Sequence, residues 1–585
     1  MLKSSSTTAR LGPQLSLSPE PLPAADAHPA VPTSATQPFP LLRWFFPSLT
    51  DMIFVVLVGI LVYAPAGAGL LNDADTGWHI RNGQHILRAL SVPHVDYFSY
   101  TMNGKPWYAW EWLYDAGTGW LWERMGLNGV VLFTAAVIGF TFALLFRTLL
   151  FECGNLLVAL LLTALAVLSS PVHMLARPHV VGWLLTLIWL RLLYRFQGGK
   201  SRALWWLPAL MLVWVNLHGS FILGLVLLAI FAAGNCWTYL TIQDAGNKLA
   251  AGRAVVRLGI AGAASALATF ITPYGYKLHV HVFQYLSNRY FMDHIMEFAS
   301  PNFHGNAEKF FAALLALSLV AAMLAARRLR AIDVLLVLFA AYSGLYAIRN
   351  TPTSSMIIAL AIAPPLSEAI QLQALRRDLP DWLKRFFTRI CGSGERMKNV
   401  EGMLRGHLVP IALLVVSIGL ALNGGRLHGT PVLAAHFDQR QFPVGAAEYI
   451  AAHQIHDHMF STDRWSGYLI YRLYPETKLF IDDRHDFYGE AFLKEYLKAL
   501  EADLGWRDVL DKNGVTAVLV PPDAPLANVL KESSDWKVAY DDGVAILFSR
   551  PCCSTVKSQA PRDDDSRTTR SSASDHAVQR VAVKR

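Results

Sequence analysis

Residues 52–79 read MIFVVLVGILVYAPAGAGLLNDADTGWH. The first part, 52–71, is free of charge, and about 20 apolar residues are what one helix needs to cross a bilayer. Asn72-Asp73-Ala74-Asp75-Thr76-Gly77-Trp78-His79 follows without a spacer. Carboxylates at a membrane boundary are costly unless paired, solvated or bound to a cation. In an extended segment Asp73 and Asp75 point the same way, because side chains repeat with period two. Two such carboxylates can bind a divalent cation, or divide the work of base and metal ligand. The bland alternative is a solvated cap on the first helix.

Working outward, further apolar spans fall at 128–149, 154–172, 180–195, 203–216, 220–240, 256–272, 310–326, 331–348, 353–370 and 408–423. With the first, eleven membrane helices are expected. The 203–216 segment is short for a straight span, and 114–125 can add a half-helix. Composition agrees. Hydrophobic residues make up 53% of the 585 and charged residues 16%, against about 25% charged in soluble domains. A soluble globular protein and a disordered one are both excluded. The five cysteines form no spaced framework, so neither a disulfide scaffold nor a zinc site is expected.

The formal charge of +8 suggests nucleic acid until the basic residues are placed. Arg195, Lys200 and Arg202, then Lys248, Arg253 and Arg257, then Arg327, Arg328 and Arg330, lie in three loops. Segment 371–407 carries Arg376, Arg377, Lys384, Arg385, Arg389, Arg396, Lys398 and Arg405. If eleven spans alternate, all four loops share one side, which the positive-inside rule makes cytoplasmic. The N-terminus is then cytoplasmic, residues 424–550 are extracytoplasmic, and no nucleic-acid partner is implied. Residues 1–45 and 551–585 are expected to be disordered tails, Cys552 and Cys553 being exposed thiols in the second. No signal peptide is read at the start.

The same alternation puts His79, His85, His94, His173, His179, His218, His279, His281, His294 and His304 outside, with Glu111 and Arg177. The first outer loop, 72–127, runs through VPHVDYFSYT (92–101) and GKPWYAWEWL (104–113), too aromatic and long for a mere connector. Arg177-Pro178-His179 opens the fourth span, Asn216-Leu217-His218 joins two spans almost without a loop, and Arg349-Asn350 ends the ninth. Arginine grips phosphate with a planar fork. Arg177, His179, His218 and Arg349 are therefore candidates for a lipid-phosphate pocket, with His79, Glu111 and Asn216 as additional candidates. Snorkelling arginines at helix ends are the alternative.

A multi-span chain with Asp-Ala-Asp-Thr-Gly-Trp-His in its first outer loop resembles the GT-C membrane glycosyltransferases, in the protein O-mannosyltransferase-like and bacterial lipid-sugar transferase branch. The resemblance covers about 52–423, and its specific part is that loop. It implies a polyprenyl-phosphate-linked sugar donor, chemistry on the outer face, and Asp73 or Asp75 as base or part of a metal site. The Asp-x-Asp spacing departs from the adjacent Asp-Glu of the mannosyltransferase branch.

Residues 424–550 lose the membrane pattern. Strands are expected at 459–463, 478–482, 515–521 and 544–549, with helices at 442–453, 466–474, 488–503 and 524–532, giving a small α/β domain. Asp482-Asp483-Arg484-His485-Asp486 follows a strand end, where such sheets often bind ligands, and an internally paired loop is the plainer reading. No glycine-rich phosphate loop is present in this domain's sequence, so no nucleotide site is expected.

The expected architecture is a polytopic α-helical membrane protein of GT-C type (46–423) with a small C-terminal extracytoplasmic α/β domain (424–550). The expected function is sugar transfer from a polyprenyl-phosphate-linked donor to a glycan, lipid or protein acceptor on the extracytoplasmic face. The expected setting is the bacterial inner or plasma membrane, with membrane lipids as partners. Asp73 and Asp75 carry the chemistry, with Mg2+ or Mn2+ as the only cofactor. A secondary transporter or channel, or a non-catalytic scaffold with an outer interaction domain, are the rival classes. The transporter would need charged groups in mid-span and internal repeats, neither of which is clear.

Overall fold

The computed structural model describes residues 45–64, 69–324, 329–404 and 406–550. Of the expected tails at 1–45 and 551–585, residues 1–44 and the whole of the second, with Cys552 and Cys553, lie outside the described residues, as do Arg327, Arg328 and Arg405. The membrane part runs α1 (Leu49–Tyr63), α2 (Asp75–Ala89), α3 (Trp112–Cys153), α4 (Leu156–Leu168), α5 (His179–Gln197), α6 (Trp206–Trp214), α7 (Phe221–Thr241), α8 (Ala245–Ala268), α9 (Tyr276–Ser287), α10 (Arg289–His294), α11 (Asn306–Leu324), α12 (Ala331–Tyr346), α13 (Thr351–Leu375), α14 (Asp381–Met403) and α15 (Leu408–Leu422).

Every expected span overlaps one of these helices, but they are of unequal length, and residues 65–68 of the first span lie outside the described residues. Six are long and apolar enough to cross a membrane: α3, α5, α7, α8, α11 and the stretch Ile348–Leu375. The pair α14 and α15, bent by 60°, makes a seventh if counted as one span. The shorter apolar helices α1, α4 and α12 hold 15, 13 and 16 residues. At 1.5 Å per residue these reach about 20–24 Å, short of the roughly 30 Å hydrocarbon core. Span 154–172 is cut off because the helix stops at Leu168 and Pro171–His173 makes a 3-10 turn. Span 203–216 becomes a 3-10 turn, Ser201–Trp205, and the nine-residue α6. The half-helix expected at 114–125 is the first part of α3, set off by a kink at Gly126, whose φ is 58°. The basic segment 241–257 is largely the start of α8, not a loop.

The C-terminal unit holds α16 (Val444–Ala452), α17 (Asp463–Leu473), α18 (His485–Leu500), α19 (Trp506–Lys512) and α20 (Pro525–Lys531), after a small hairpin of β1 (Arg426–Leu427) and β2 (Thr430–Pro431). Its sheet is β3 (Met459–Ser461), β4 (Ala517–Val520), β5 (Lys537–Asp541) and β6 (Ile546–Ser549) in the order β3-β4-β6-β5. β3 and β4 are parallel, and the other pairs antiparallel. The strand expected at 478–482 does not form. Leu479 only bridges Met459 on one side and Ser99 of the first loop on the other. The sheet edge thus hands over to the first loop instead of gaining a strand. β5 escaped the sequence pattern because it is a largely exposed edge strand.

Two glycine contacts set the helices that carry the site. A Cβ on Gly83 would stand 1.8 Å from the Asp115 carbonyl oxygen, and one on Gly119 would stand 2.5 Å from the carbonyl carbon of Gly83. Only glycine lets α2 and α3 meet backbone to backbone here. One turn earlier on each helix stand His79 and Asp115, which the contact brings face to face. In the same way a Cβ on Gly77 would stand 2.3 Å from the Gly467 carbonyl oxygen. This seats α17 of the C-terminal unit against α2. Arg484 completes the seam, buried and donating to both Asp96 and Asp482 at 2.6 Å.

Candidate active site

A cavity of about 1530 Å³ lies between the membrane helices and the C-terminal unit. Asp73, Asp75, His79, Glu111, Arg177, His179, His218 and Arg349 all line it. Asp463, Asp483, His485 and Asp486 line it from the C-terminal unit. Its apolar lining includes Trp183, Leu223, Val226, Phe339 and Ile357 from the spanning helices. Residues scattered over more than 400 positions thus meet around one space.

Arg177 is the hub. Its Nη1 donates to Asp73 Oδ2 at 2.8 Å and to Glu297 Oε1 at 2.5 Å, and its Nη2 lies 2.5 Å from Asp75 Oδ2. Glu297 also meets Arg349, with Nη1 at 3.4 Å from Oε2. Burial alone would raise Glu297, but the charges of Arg177 and Arg349 overcome it and hold the carboxyl well below its usual range. Asp73 is shifted the other way. Its burial outweighs Arg177, and Glu297 nearby adds to the rise. Arg177, expected as a phosphate grip, is therefore engaged by three carboxylates. Among the described residues Arg349 has one long ion pair, and it rests over the Phe298 ring at 4.9 Å.

The histidines fall into two groups. His173 and His179 pack at 4.0 Å between ring centres, and His179 Nε2 donates to the His173 carbonyl at 2.7 Å. Burial pushes His173 down to about 3, so it is neutral at physiological pH. His79 and His218 flank Glu111. His79 Nε2 is 3.8 Å from Oε2, and His218 Nε2 is 3.5 Å from Oε1. His85, His94 and His279 are not brought to the cavity; they pack on Tyr97, Tyr274 and Phe270. Asn216 is likewise a structural tie. It accepts from Trp112 Nε1 at 2.8 Å and donates to the Leu212 and Ile271 carbonyls.

Three carboxylates fit a divalent cation. Ligand oxygens of Asp73, Asp75 and Asp483 all lie within 4.8 Å of one another. Asp483 Oδ1 is buried and without a hydrogen-bond partner among the described residues. Hard oxygen donors of this kind suit Mg2+ or Mn2+. Burial, then the nearby Asp73, raises Asp483 to about 7.

Two participants were not singled out from sequence. Asp115 lies near the start of α3, ahead of its kink at Gly126, and is fully buried, which no local sequence signal gave away. Asp463 follows the end of β3 and accepts from His485 Nε2 at 2.8 Å. The strand-end rule that drew attention to 482–486 applies to it as well. Within 482–486, Asp482 pairs with Arg484, which also reaches Asp96, while Asp483, Arg484, His485 and Asp486 line the cavity.

No protein-family model matches the chain, and no curated protein matches it. Its structure is similar to that of archaeal oligosaccharyltransferase AglB from Archaeoglobus fulgidus in complex with an inhibitory peptide and a dolichol-phosphate. The TM-score is 0.52 at 10% identity, over 81% of this chain and 69% of that one. ArnT from Cupriavidus metallidurans bound to undecaprenyl phosphate aligns at TM-score 0.41 and 12% identity, over 86% of this chain and 98% of that one. AglB has the GT-C fold, and the likeness to it shows that this chain has that fold too.

Proposed function

We propose that the protein is an integral membrane glycosyltransferase that moves a sugar from a polyprenyl-phosphate-linked donor to an acceptor on the extracytoplasmic face. The observation that carries this is the convergence of Asp73, Asp75, Arg177, His218 and Arg349 on one cavity with an apolar wall, closed by the C-terminal unit. The apolar wall suits a lipid tail, Arg349 suits its phosphate, and the acidic side suits a hydroxyl that must lose a proton. AglB, whose structure holds a dolichol-phosphate, supports the same donor class.

In this reading the acceptor enters beside Asp463, Asp483 and His485. Asp73 or Asp75 acts as base or as ligand to a divalent cation, with Asp483 as the third ligand. A cation held there would neutralise charge on the departing phosphate. The residues of the chain align donor and acceptor, and Arg349 steadies the phosphate as the sugar bond breaks. The setting is a bacterial inner or plasma membrane, N-terminus in the cytoplasm and residues 424–550 outside.

The test is binding and turnover by the purified protein. Undecaprenyl phosphate should bind, and an undecaprenyl-phosphate-linked hexose or pentose from a panel should release it. Absence of both binding and release across the panel would overturn the reading.

A further inference from the structure

The hydrogen bonds around His79 and His218 fix how Glu111 is met. His79 Nδ1 lies 2.6 Å from Asp115 Oδ1, and Asp115 Oδ2 accepts from Asn82 Nδ2 at 2.6 Å. With Asp115 ionised, the proton between the two stays on Nδ1. His79 Nε2 therefore turns a lone pair toward Glu111 Oε2. On the other side, His218 Nδ1 accepts from the Ser220 backbone N–H at 3.2 Å. The Ser220 hydroxyl, 2.7 Å from the same nitrogen, accepts from Trp214 Nε1 and so has its own proton to give. Neutral His218 then carries its proton on Nε2, facing Glu111 Oε1.

Glu111 thus lies 3.5 Å from a donor on one side and 3.8 Å from an acceptor on the other, near both and hydrogen-bonded to neither in this structure. That pattern complements a carboxylic acid with its proton on Oε2. With Glu111 ionised and His79 neutral, Oε2 faces a lone pair, and the gap has room for one proton. The ionic surroundings agree. Burial raises Glu111 well above the usual carboxylate range, and the charges of Asp115 and Asp486 add to it. Arg177 and Arg349 oppose it. Burial holds both His79 and His218 below the ordinary imidazole value. Asp73 and Asp75 are different. Asp73 accepts from the Asp75 backbone N–H and Arg177, while Asp75 accepts from Trp78 Nε1 and faces Arg177. Burial raises Asp73 all the same, but the oxygens of both carboxylates are already engaged by these donors, which leaves neither as open to an acceptor hydroxyl as Glu111 Oε2.

We propose that Glu111, set between His79 and His218, is the base that takes the acceptor's proton, leaving Asp73, Asp75 and Asp483 to hold positive charge. This rests on the transferase reading and decides between the two roles open to the Asp pair. The acceptor O–H bond breaks and its proton goes to Glu111 Oε2, on the side that faces His79 Nε2. The acceptor oxygen bonds to the sugar's anomeric carbon. The bond from that carbon to phosphate breaks, and its electron pair leaves on the phosphate oxygen. Asp115 is a positioning residue that acts through the tautomer of His79.

The test uses the full chain in detergent or nanodiscs, with undecaprenyl phosphate and an undecaprenyl-phosphate-linked sugar as probes. Glu111→Gln should bind undecaprenyl phosphate as the wild type does and lose about 10²–10⁴-fold in transfer. Wild-type transfer should fall as pH drops through a value above the ordinary carboxylate range. That limb should vanish in Glu111→Gln and shift in Asp115→Asn. Infrared difference spectra, which need no turnover, should show a protonated-carboxyl band of the wild type that is missing in Glu111→Gln. Normal transfer by Glu111→Gln, or an unchanged infrared band, would overturn the proposal. A wild type that neither binds the lipid phosphate nor releases it from its sugar would sink the transferase reading instead, with the infrared band still deciding whether Glu111 stores a proton.

Discussion

Gly83 of α2 lies so close to Asp115 of α3 that a Cβ on the glycine would stand 1.8 Å from the Asp115 carbonyl oxygen. The obstacle is backbone, so no side-chain rotation relieves it. Gly83→Ala should push the two helices apart, part His79 from Asp115, and cost about 1–3 kcal/mol, as overpacking does. Thermal unfolding in detergent measures it. A variant as stable and active as the wild type would mean that this close contact does not set the site.

Arg177 and Arg349 should behave differently although both end helices at the same cavity. Arg177→Gln leaves Asp73, Asp75 and Glu297 without their shared guanidinium, a loss of about 3–5 kcal/mol for a buried partner. It should lower the unfolding temperature sharply. Arg349→Gln should keep the fold and weaken undecaprenyl phosphate binding by roughly 10- to 150-fold, with Arg349→Lys restoring part of it. Titrations of the three variants check this, and equal affinity in both Arg349 variants and the wild type would remove Arg349 from the phosphate site.

Glu297 gives a pH signature. Its carboxyl is held below the ordinary value by Arg177 and Arg349 against the effect of burial. A depressed carboxylate contributes stability that is full above the unfolded-state pKa, about 4.3, and is lost as pH falls through the folded value. The wild type should therefore exceed Glu297→Gln in unfolding temperature at neutral pH, and the gap should close in strong acid. A gap that stays constant from neutral to acid would contradict the ion-pair account.

Asp73→Asn and Asp75→Asn should each leave a folded protein. At least one should lose transfer by about 10²–10⁴-fold, because the acids hold the cation that neutralises the departing phosphate. Added Mn2+ should separate the roles, because a weakened cation site recovers in part at high metal while a missing base does not. Normal transfer by both variants would leave the acids as structural partners of Arg177 only.

Orientation is open to direct measurement. Cysteines placed at Lys200 or Arg396 in a cysteine-free background should be labelled only after the membrane is made permeable, while one at Ile455 should be labelled in intact cells. Reversed accessibility would turn the outer face into the inner one.

The sequence carried the helices well because a bilayer-crossing helix is a local object. Apolar runs such as 128–149 and 220–240 need no distant partner to be recognised. It carried α17, α18 and the central strand β4 of the C-terminal unit for the same reason, since period and turn residues lie within each segment. Where it misread an element, the cause was non-local. Leu479 bridges β3 and the first loop without forming a ladder, and β5 is too exposed to show a burial pattern.

From sequence alone came a multi-span membrane chain, an acidic first loop, and titratable groups sorted to one face. Those follow from hydropathy and charge read along the chain. Tertiary structure alone decided which of those groups meet. Asp115 reaches His79 through a glycine contact between two helices, Asp483 joins Asp73 and Asp75 from some 400 positions away, and Arg177 binds three carboxylates instead of standing free. The physical reason is range. Hydrophobicity along a helix is summed locally, whereas a carboxylate's partners, and so its proton affinity, depend on atoms a few ångströms away that the chain brings together only by folding.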